Sequence, residues 1–220
     1  GNARDFGGSA SIGLLASRFL VEGPLGGGRG SFLVAGRRSY ADLFLKLARD
    51  SSVRENRAYF YDLNAKANVA LGTSGTLMAS AYLGRDLFSP SPDFEAGWGN
   101  VSGTLRWNHI VGERLFSKVS YTTGTYDYNL GFAVLDATVD WTSRIRSQEL
   151  RIDESLHFSE RNVLEFGAEV ANQTLRPGDL QPTDTSRLKP VRVSPRYGRS
   201  SALHASHVFD IGERLTLRYG

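Results

Sequence analysis

Cysteine is absent from this 220-residue chain. That excludes a disulfide framework, a thiolate metal site and a cysteine nucleophile. No run of eighteen apolar residues occurs either, so no helix can cross a membrane on its own hydrophobicity. A β-barrel is untouched by that exclusion, because a barrel strand needs apolar side chains only at alternate positions. Walker, dinucleotide-binding GxGxxG, HExxH and nucleophile-elbow patterns are all missing. The stretch Gly26-Gly27-Gly28-Arg29-Gly30 lacks the lysine and spacing of a phosphate loop and reads as a turn. Charge of one sign is also scarce. The 26 basic and 23 acidic residues are interspersed, the formal net charge is +3, and no basic stripe runs along one element. Nucleic acid is therefore not an expected partner.

What the chain does have is alternation. From Tyr59 to Leu71 the odd positions read Tyr59, Tyr61, Leu63, Ala65, Ala67, Val69 and Leu71. The even positions between them read Phe60, Asp62, Asn64, Lys66, Asn68 and Ala70. Side chains on a strand point alternately to opposite faces, so one face is apolar and the other polar. The same pattern recurs around Leu77–Leu83, Val101–Trp107 and Leu164–Val170.

The pattern predicts about ten strands: Ser9–Glu22, Ser31–Tyr40, Ala58–Leu71, Thr76–Asp86, Gly99–Ile110, Leu115–Tyr128, Ala133–Phe158, Asn162–Leu175, Ala202–Phe209 and Arg214–Gly220. Short connections such as Gly72-Thr73-Ser74-Gly75, Val111-Gly112-Glu113, Ser159-Glu160-Arg161 and Asp210-Ile211-Gly212-Glu213 carry turn chemistry. Long ones, Ala41–Arg57, Leu87–Trp98, Tyr128–Val134 and Arg176–Ser200, alternate with them. Leu43, Phe44, Leu47 and Ala48 fit one short helix within Tyr40–Asp50. The apolar parity of Ala133–Phe158 changes from odd to even near Ile145–Gln148, which reads as a bulge or a loop boundary.

Strands of ten residues or more, alternating loop lengths and aromatics near strand ends favour a membrane barrel over a soluble sandwich. Tyr59, Tyr61, Phe88, Trp98, Tyr126, Tyr128 and Trp141 lie near the long connections, and Phe116, Phe158 and Phe209 near the short ones. Such residues form girdles at membrane interfaces. The expected fold is thus all-β, an antiparallel up-and-down transmembrane β-barrel portion with one short loop helix. Passive porin- or adhesin-like barrels and a soluble all-β binding module are the alternatives. A barrel-embedded hydrolase would need an acid, base or nucleophile cluster, and none is found.

Residues Ser17–Leu25 (SRFLVEGPL) and Gly30–Leu43 (GSFLVAGRRSYADL) are distinctive, as are Tyr59–Lys66 (YFYDLNAK), Gly103–His109 (GTLRWNH) and Tyr126–Tyr128 (YDY). These segments resemble the early barrel of TonB-dependent outer-membrane receptors. They look most like the group that carries a carboxypeptidase-regulatory-like domain before the plug, near the SusC-like transporters. The resemblance covers most of residues 7–175 and fades after Pro177. It implies a plugged barrel of about 22 strands, of which residues 1–220 would be part of one domain, without plug or closing strands. It implies uptake of a scarce ligand across the Gram-negative outer membrane, with no catalysis and no cofactor. The implied partners are outer-membrane lipid, TonB through a plug segment, the remaining strands and plug of the same protein, and a surface lipoprotein.

Few residues stand out as site candidates. His204 and His207 have opposite parity on a strand, which argues against a metal pair. Glu165 and Glu169 share a face and are expected in a charge ladder with Lys66, Arg106 or Lys118. Arg37, Arg38, Tyr40 and Asp42 lie where a strand leaves the sheet, with the two arginines on opposite faces. Anchoring of the first long loop is the favoured role, and contact with plug or ligand the alternative.

Overall fold

The computed structural model describes residues 1–134, 137–182, 189–211 and 215–220. Among these, twelve strands form one sheet. They are β1 (Gly7–Ile12), β2 (Ala16–Leu25), β3 (Gly30–Ser39), β4 (Arg57–Leu71), β5 (Gly75–Ser91), β6 (Phe94–Val111), β7 (Leu115–Val134), β8 (Ala137–Ser159), β9 (Asn162–Pro182), β10 (Val191–Arg192), β11 (Arg196–Ile211) and β12 (Leu215–Tyr219). Each strand pairs antiparallel with its sequence neighbour, except that β9 carries the two-residue β10 off the main path and also pairs with β11. This is up-and-down order. The expected all-β antiparallel fold is present.

The strand count differs from the expected ten for two reasons. Ser9–Glu22 is a hairpin rather than one strand, because the chain reverses after Ile12 and β1 pairs back on β2. The short β10 adds a further strand. One loop helix was expected, and two are found between β3 and β4: α1 (Ala41–Leu45) and α2 (Ser51–Arg54). At the short turns, Gly72 and Gly112 have φ values of 67° and 64°, in the left-handed region that side chains disfavour. Turn residues 212–214, residues 135–136 of the expected strand Ala133–Phe158 and residues 183–188 of the expected connection Arg176–Ser200 lie outside the described residues.

Register assigns the faces. Residues directly opposite one another on neighbouring strands share a face. The row Phe32, Ala67, Ala79, Leu105, Tyr121, Leu150, Val170 runs straight across β3 to β9 through successive pairs. The next row down reads Val69, Leu77, Trp107, Val119, Ile152, Ala168, Leu203. Together they form an apolar belt. The face that carries it is called the belt face below.

The belt ends sharply toward the long connections. There the belt face reads Arg38, Tyr61, Arg85, Gly99, Asp127, Arg144, Arg176. On the opposite face of the same region the side chains turn apolar. Phe94 stands opposite Phe132, Ala96 opposite Leu130, Trp141 opposite both Leu130 and Leu180, and Val139 opposite Phe132. The two faces exchange polarity while the strands run on.

That exchange corrects two expectations. The β7–β8 register is continuous, with no bulge at Ile145–Gln148. The change from Val139, Trp141 and Ile145 to Leu150, Ile152 and Leu156 is a change in which face is apolar, not a slip in pairing. Likewise Leu87–Trp98 is not a loop. Strands β5 and β6 continue to a tight turn at Pro92-Asp93. Much of Arg176–Ser200 is also strand, in β9, β10 and β11. Two of the three register shifts fall at prolines, and the third at Phe158 beside the β8–β9 turn. Ser89 and Pro90 together oppose Glu95, and Pro177 and Gly178 together oppose Ser143. Proline has no N–H to give the ladder, so an extra residue there lets pairing resume beyond it.

The girdle expectation also changes. Tyr59, Tyr61 and Phe209 share the belt face, whereas Phe88, Trp98, Tyr126, Tyr128, Trp141 and Phe116 lie on the opposite one. Tyr59 and Tyr61 stack at 6.5 Å.

No second sheet covers either face among the described residues. Among the described residues the buried apolar side chains are Leu87, Ala96, Val139 and Ala171. A sandwich needs two sheets with a dry core between them, and the described residues form a single layer. Val139, 2% exposed, lies opposite Phe132 and Pro182. Val139→Ala in the intact protein should lower stability by about 1–3 kcal/mol, measured by urea unfolding. Val101→Ala, at a site 53% exposed, should cost less.

Candidate functional site

Below the polarity exchange, the face opposite the belt is lined with polar side chains. A connected charge cluster crosses β7, β8, β9 and β11. The Asp153 carboxylate accepts from Lys118 at 2.9 Å and from the Arg151 guanidinium at 2.9 Å, and His204 Nε2 lies 3.6 Å from it. Arg151 also approaches Glu169 at 3.5 Å. Farther along, Ser206 donates to Glu165 at 3.1 Å and Arg218 pairs with the same carboxylate. On the same face, toward the other end of the sheet, Asn68 donates to Ser31 at 3.0 Å. The ladder expected for Glu165 and Glu169 exists, but with Arg218 and Arg151 as its cations.

Lys66 and Arg106 stand apart from this network. They line a depression of about 320 Å³ with Ser31, Asn68, Met78, Ser80 and Thr104. Neither has an ion-pair partner among the described residues. The depression faces the same side as the Asp153 cluster, so this wall offers both paired and free cations to whatever lies before it.

The four residues singled out in the sequence do not converge. Arg37 lies on the face opposite the belt, paired with Asp62 and set 5.0 Å over the Phe60 ring. Arg38 lies on the belt face, 4.0 Å from Asp42 and 6.0 Å over the Tyr59 ring. The Tyr40 hydroxyl donates to the Gly13 carbonyl, and the Tyr40 N–H donates to the Leu15 carbonyl at 3.0 Å. Asp42 opens α1 with its Oδ1 buried and without a partner. Three of these contacts tie the start of the α1–α2 loop to the β1–β2 turn and to the sheet. At α2, Asp50 accepts the Ser52 N–H at 2.9 Å and the Ser52 hydroxyl at 2.8 Å.

His204 and His207 point to opposite faces, as their parity requires. His207 bonds Tyr219 and Asn162. No group of three or more His, Asp or Glu side chains is placed to hold a metal among the described residues. The Asp153 cluster was not visible in the sequence. Its members lie on strands up to 86 positions apart (Lys118 to His204 alone spans β7 to β11), and only register brings them together.

No known protein family matches the sequence, and no curated protein matches it. Solved structures do resemble the fold. The crystal structure of BauA, the ferric preacinetobactin receptor from Acinetobacter baumannii, aligns at a TM-score of 0.62 with 9% identity. The alignment covers 90% of this chain and 37% of that one. FyuA, the ferric yersiniabactin uptake receptor from Yersinia pestis, aligns at 0.49 with 11% identity, covering 90% and 35%. The chain thus spans little more than a third of the length of these receptors. The fold is that of an open portion of an antiparallel up-and-down β-barrel. Its match to BauA is one of fold: the sheet corresponds to part of an antiparallel barrel wall.

Because Asp153 is shared by Lys118 and Arg151, Asp153→Asn should destabilise more than Lys118→Gln. The expected costs are roughly 1–3 and under 1 kcal/mol, compared by unfolding of the intact protein. At α2, the two bonds from Ser52 hold the Asp50 carboxyl below the usual carboxylate range. The folded value is the lower one, so the cap is fully present above the ordinary carboxylate pKa. It is lost only as pH falls through that lowered value. The Ser52 amide resonance should titrate below the range of an exposed aspartate, and Asp50→Asn should abolish the titration.

Proposed function

We propose that this chain is part of the wall of a TonB-dependent outer-membrane receptor, a non-enzymatic barrel that takes up a scarce ligand such as a siderophore, glycan or peptide. One observation carries the reading. A single-layer sheet with no core presents an unbroken apolar belt on one face and a charged, hydrogen-bonded surface on the other. In water that belt would be an unsupported hydrophobic surface. In a bilayer it is solvated by acyl chains, and the opposite face meets a polar interior.

The polarity exchange supports the same reading. Where strands rise out of lipid, the belt face meets water and becomes Arg- and Asp-rich. The opposite face, closed over by the hairpins themselves, becomes apolar. The long connections on that side are then extracellular, and the tight turns at Gly72 and Gly112 periplasmic. The likeness to the ferric preacinetobactin receptor supports the barrel but leaves the ligand class at the breadth given above.

The rest follows from the barrel geometry. Strands β1 and β12 each have one unpaired edge among the described residues. An open edge in hydrocarbon leaves N–H and C=O groups unsatisfied at several kcal/mol each. Further strands of the same protein are proposed to close it, and a plug to fill it. Lys66 and Arg106 are cations of this wall without an ion pair among the described residues, and they are proposed to face that plug. Relay from TonB would pass through the plug. A surface lipoprotein as partner, and membership of the group with a carboxypeptidase-regulatory-like domain, rest on the sequence resemblance in residues 7–175. Arg37, Arg38, Tyr40 and Asp42 are proposed as anchors of the first extracellular loop rather than ligand contacts.

Spin labels at Ala65 and Lys66 in the membrane-embedded intact protein test the faces. Ala65 should be accessible to a lipid-soluble relaxant and Lys66 to a water-soluble one, and the reverse pattern would remove the barrel reading. Ala67 sits in the middle of the belt, so Ala67→Arg should destabilise by roughly 2–4 kcal/mol, read by the shift in heat-modifiable migration.

A further inference from the structure

We propose that the lipid-facing wall carries a binding site for the phosphate groups of a membrane lipid, formed by Arg144, Arg146 and Arg176 with Thr174 and Tyr197. It rests on the reading above that the belt face meets lipid. These five side chains line one hollow of about 230 Å³. Register places all of them on the belt face. Arg144 stands opposite Asp127 and Arg176, and Arg146 opposite Thr125 and Thr174, with Tyr197 opposite Thr174 in turn.

The charge balance of this hollow differs from that of the Asp153 cluster. On the opposite face, Lys118 and Arg151 each meet a carboxylate, as do Arg37 and Arg218. In the hollow only Arg144 does, through Asp127. Arg146 and Arg176 have no acidic partner among the described residues, although they stand one register step apart on neighbouring strands. Two unpaired guanidinium groups at that spacing repel each other unless an anion lies between them. The second hollow, of about 190 Å³, shares Arg144 and adds Arg85, so the cationic surface continues along the same level.

Position decides which anion. Arg146 lies four residues from Leu150 on β8, about 13 Å along the strand. Leu150, Val170, Ile152 and Ala168 continue the same face into the apolar belt. One polar row, Thr123, Gln148 and Asn172, lies between the arginines and that belt, so a ligand seated on the arginines must span that row to reach the apolar surface, with water above. A lipid whose headgroup bears phosphate satisfies both ends, whereas a soluble anion uses only the upper one. The planar guanidinium fork matches phosphate oxygens two at a time. Thr174 adds a hydroxyl donor, and Tyr197, 78% exposed, is the kind of aromatic that settles at the headgroup level.

The test uses the intact protein in detergent, titrated with hexa-acylated lipid A bearing two phosphates and followed by native mass spectrometry. Wild-type protein should retain the lipid, and R146Q/R176Q should weaken retention by roughly tenfold. R146K/R176K keeps the charge but loses the fork, and should weaken it by a smaller factor. That pair also carries the test if the glutamine variant fails to insert. Dephosphorylated lipid A should bind no better to wild type than to the variants. Equal retention by wild type and both variants would overturn the proposal. So would equal binding of dephosphorylated lipid, or displacement of lipid A by equimolar inorganic phosphate, which would mark a free-anion site. The labels at Ala65 and Lys66 read the wall independently. Lipid access at Ala65 with unchanged lipid A retention in the variants sinks this site alone, and reversed labels sink both readings.

Discussion

The constraint on which everything else depends is the backbone hydrogen-bond ladder. A single-layer sheet has no core to hold it, and among the described residues only four apolar side chains are buried. Its strands are therefore joined laterally, each N–H and C=O answered by a neighbour. This explains the long strands, up to 23 residues in β8, and the way irregularities are handled. The two proline bulges at Pro90 and Pro177 absorb a missing donor without ending the ladder. Both lie beyond the apolar belt, on the side of the long hairpins, where water can satisfy the carbonyls that a bulge leaves over. Within the belt the β4–β7 registers run without a break, as hydrocarbon demands.

The second constraint is that solvent changes along the strand while the strand does not. On the proposed reading, the belt face passes from acyl chains at Leu150 to water at Arg144 within six positions. The alternation of a β-strand has period two everywhere, but which parity is apolar depends on what lies on each side. That accounts for the legibility of the fold. The odd-position pattern from Tyr59 to Leu71 lies wholly within the belt and is readable from sequence. Near Ile145–Gln148 the apolar parity changes sides, and the same signal without a solvent map is indistinguishable from a one-residue slip. Leu87–Trp98 was obscured in the same way. Phe88, Ala96 and Trp98 alternate correctly, on the face that is polar lower down.

The site was less legible than the fold for a different reason. Parity within one strand gives the face of a residue but not its neighbours across the sheet. The opposite faces of His204 and His207, and of Arg37 and Arg38, follow from their spacing alone. That Asp153 collects Lys118, Arg151 and His204 does not, because it requires the β7–β8, β8–β9 and β9–β11 registers at once. Residues bracketing the first loop could be picked out because they lie at a strand end and combine charge with an aromatic. Their separate destinations follow from the strand they leave. Arg37 and Arg38 are adjacent, so one must enter the polar interior and the other the outer rim, and each finds a different acid and a different ring.

Placement of charge on the two walls then differs in kind. Facing the interior, cations and carboxylates are interleaved, and the cations left over, Lys66 and Arg106, sit in a depression low on the wall. Facing outward, the unpaired cations Arg146 and Arg176 collect at one level, just above the belt. Charge at the middle of a bilayer is costly and charge at its rim is cheap, so the rim is the one place on the outer wall where free arginines can stand. Their height on β8 and β9 is thus fixed by the same solvent boundary that reverses the parity of the strands. The opposite face turns apolar at that same boundary and carries its charges below it, alongside the belt. On the proposed reading, selectivity for a passing ligand would belong to that interior wall and the hairpins above it, and the rim arginines to the membrane.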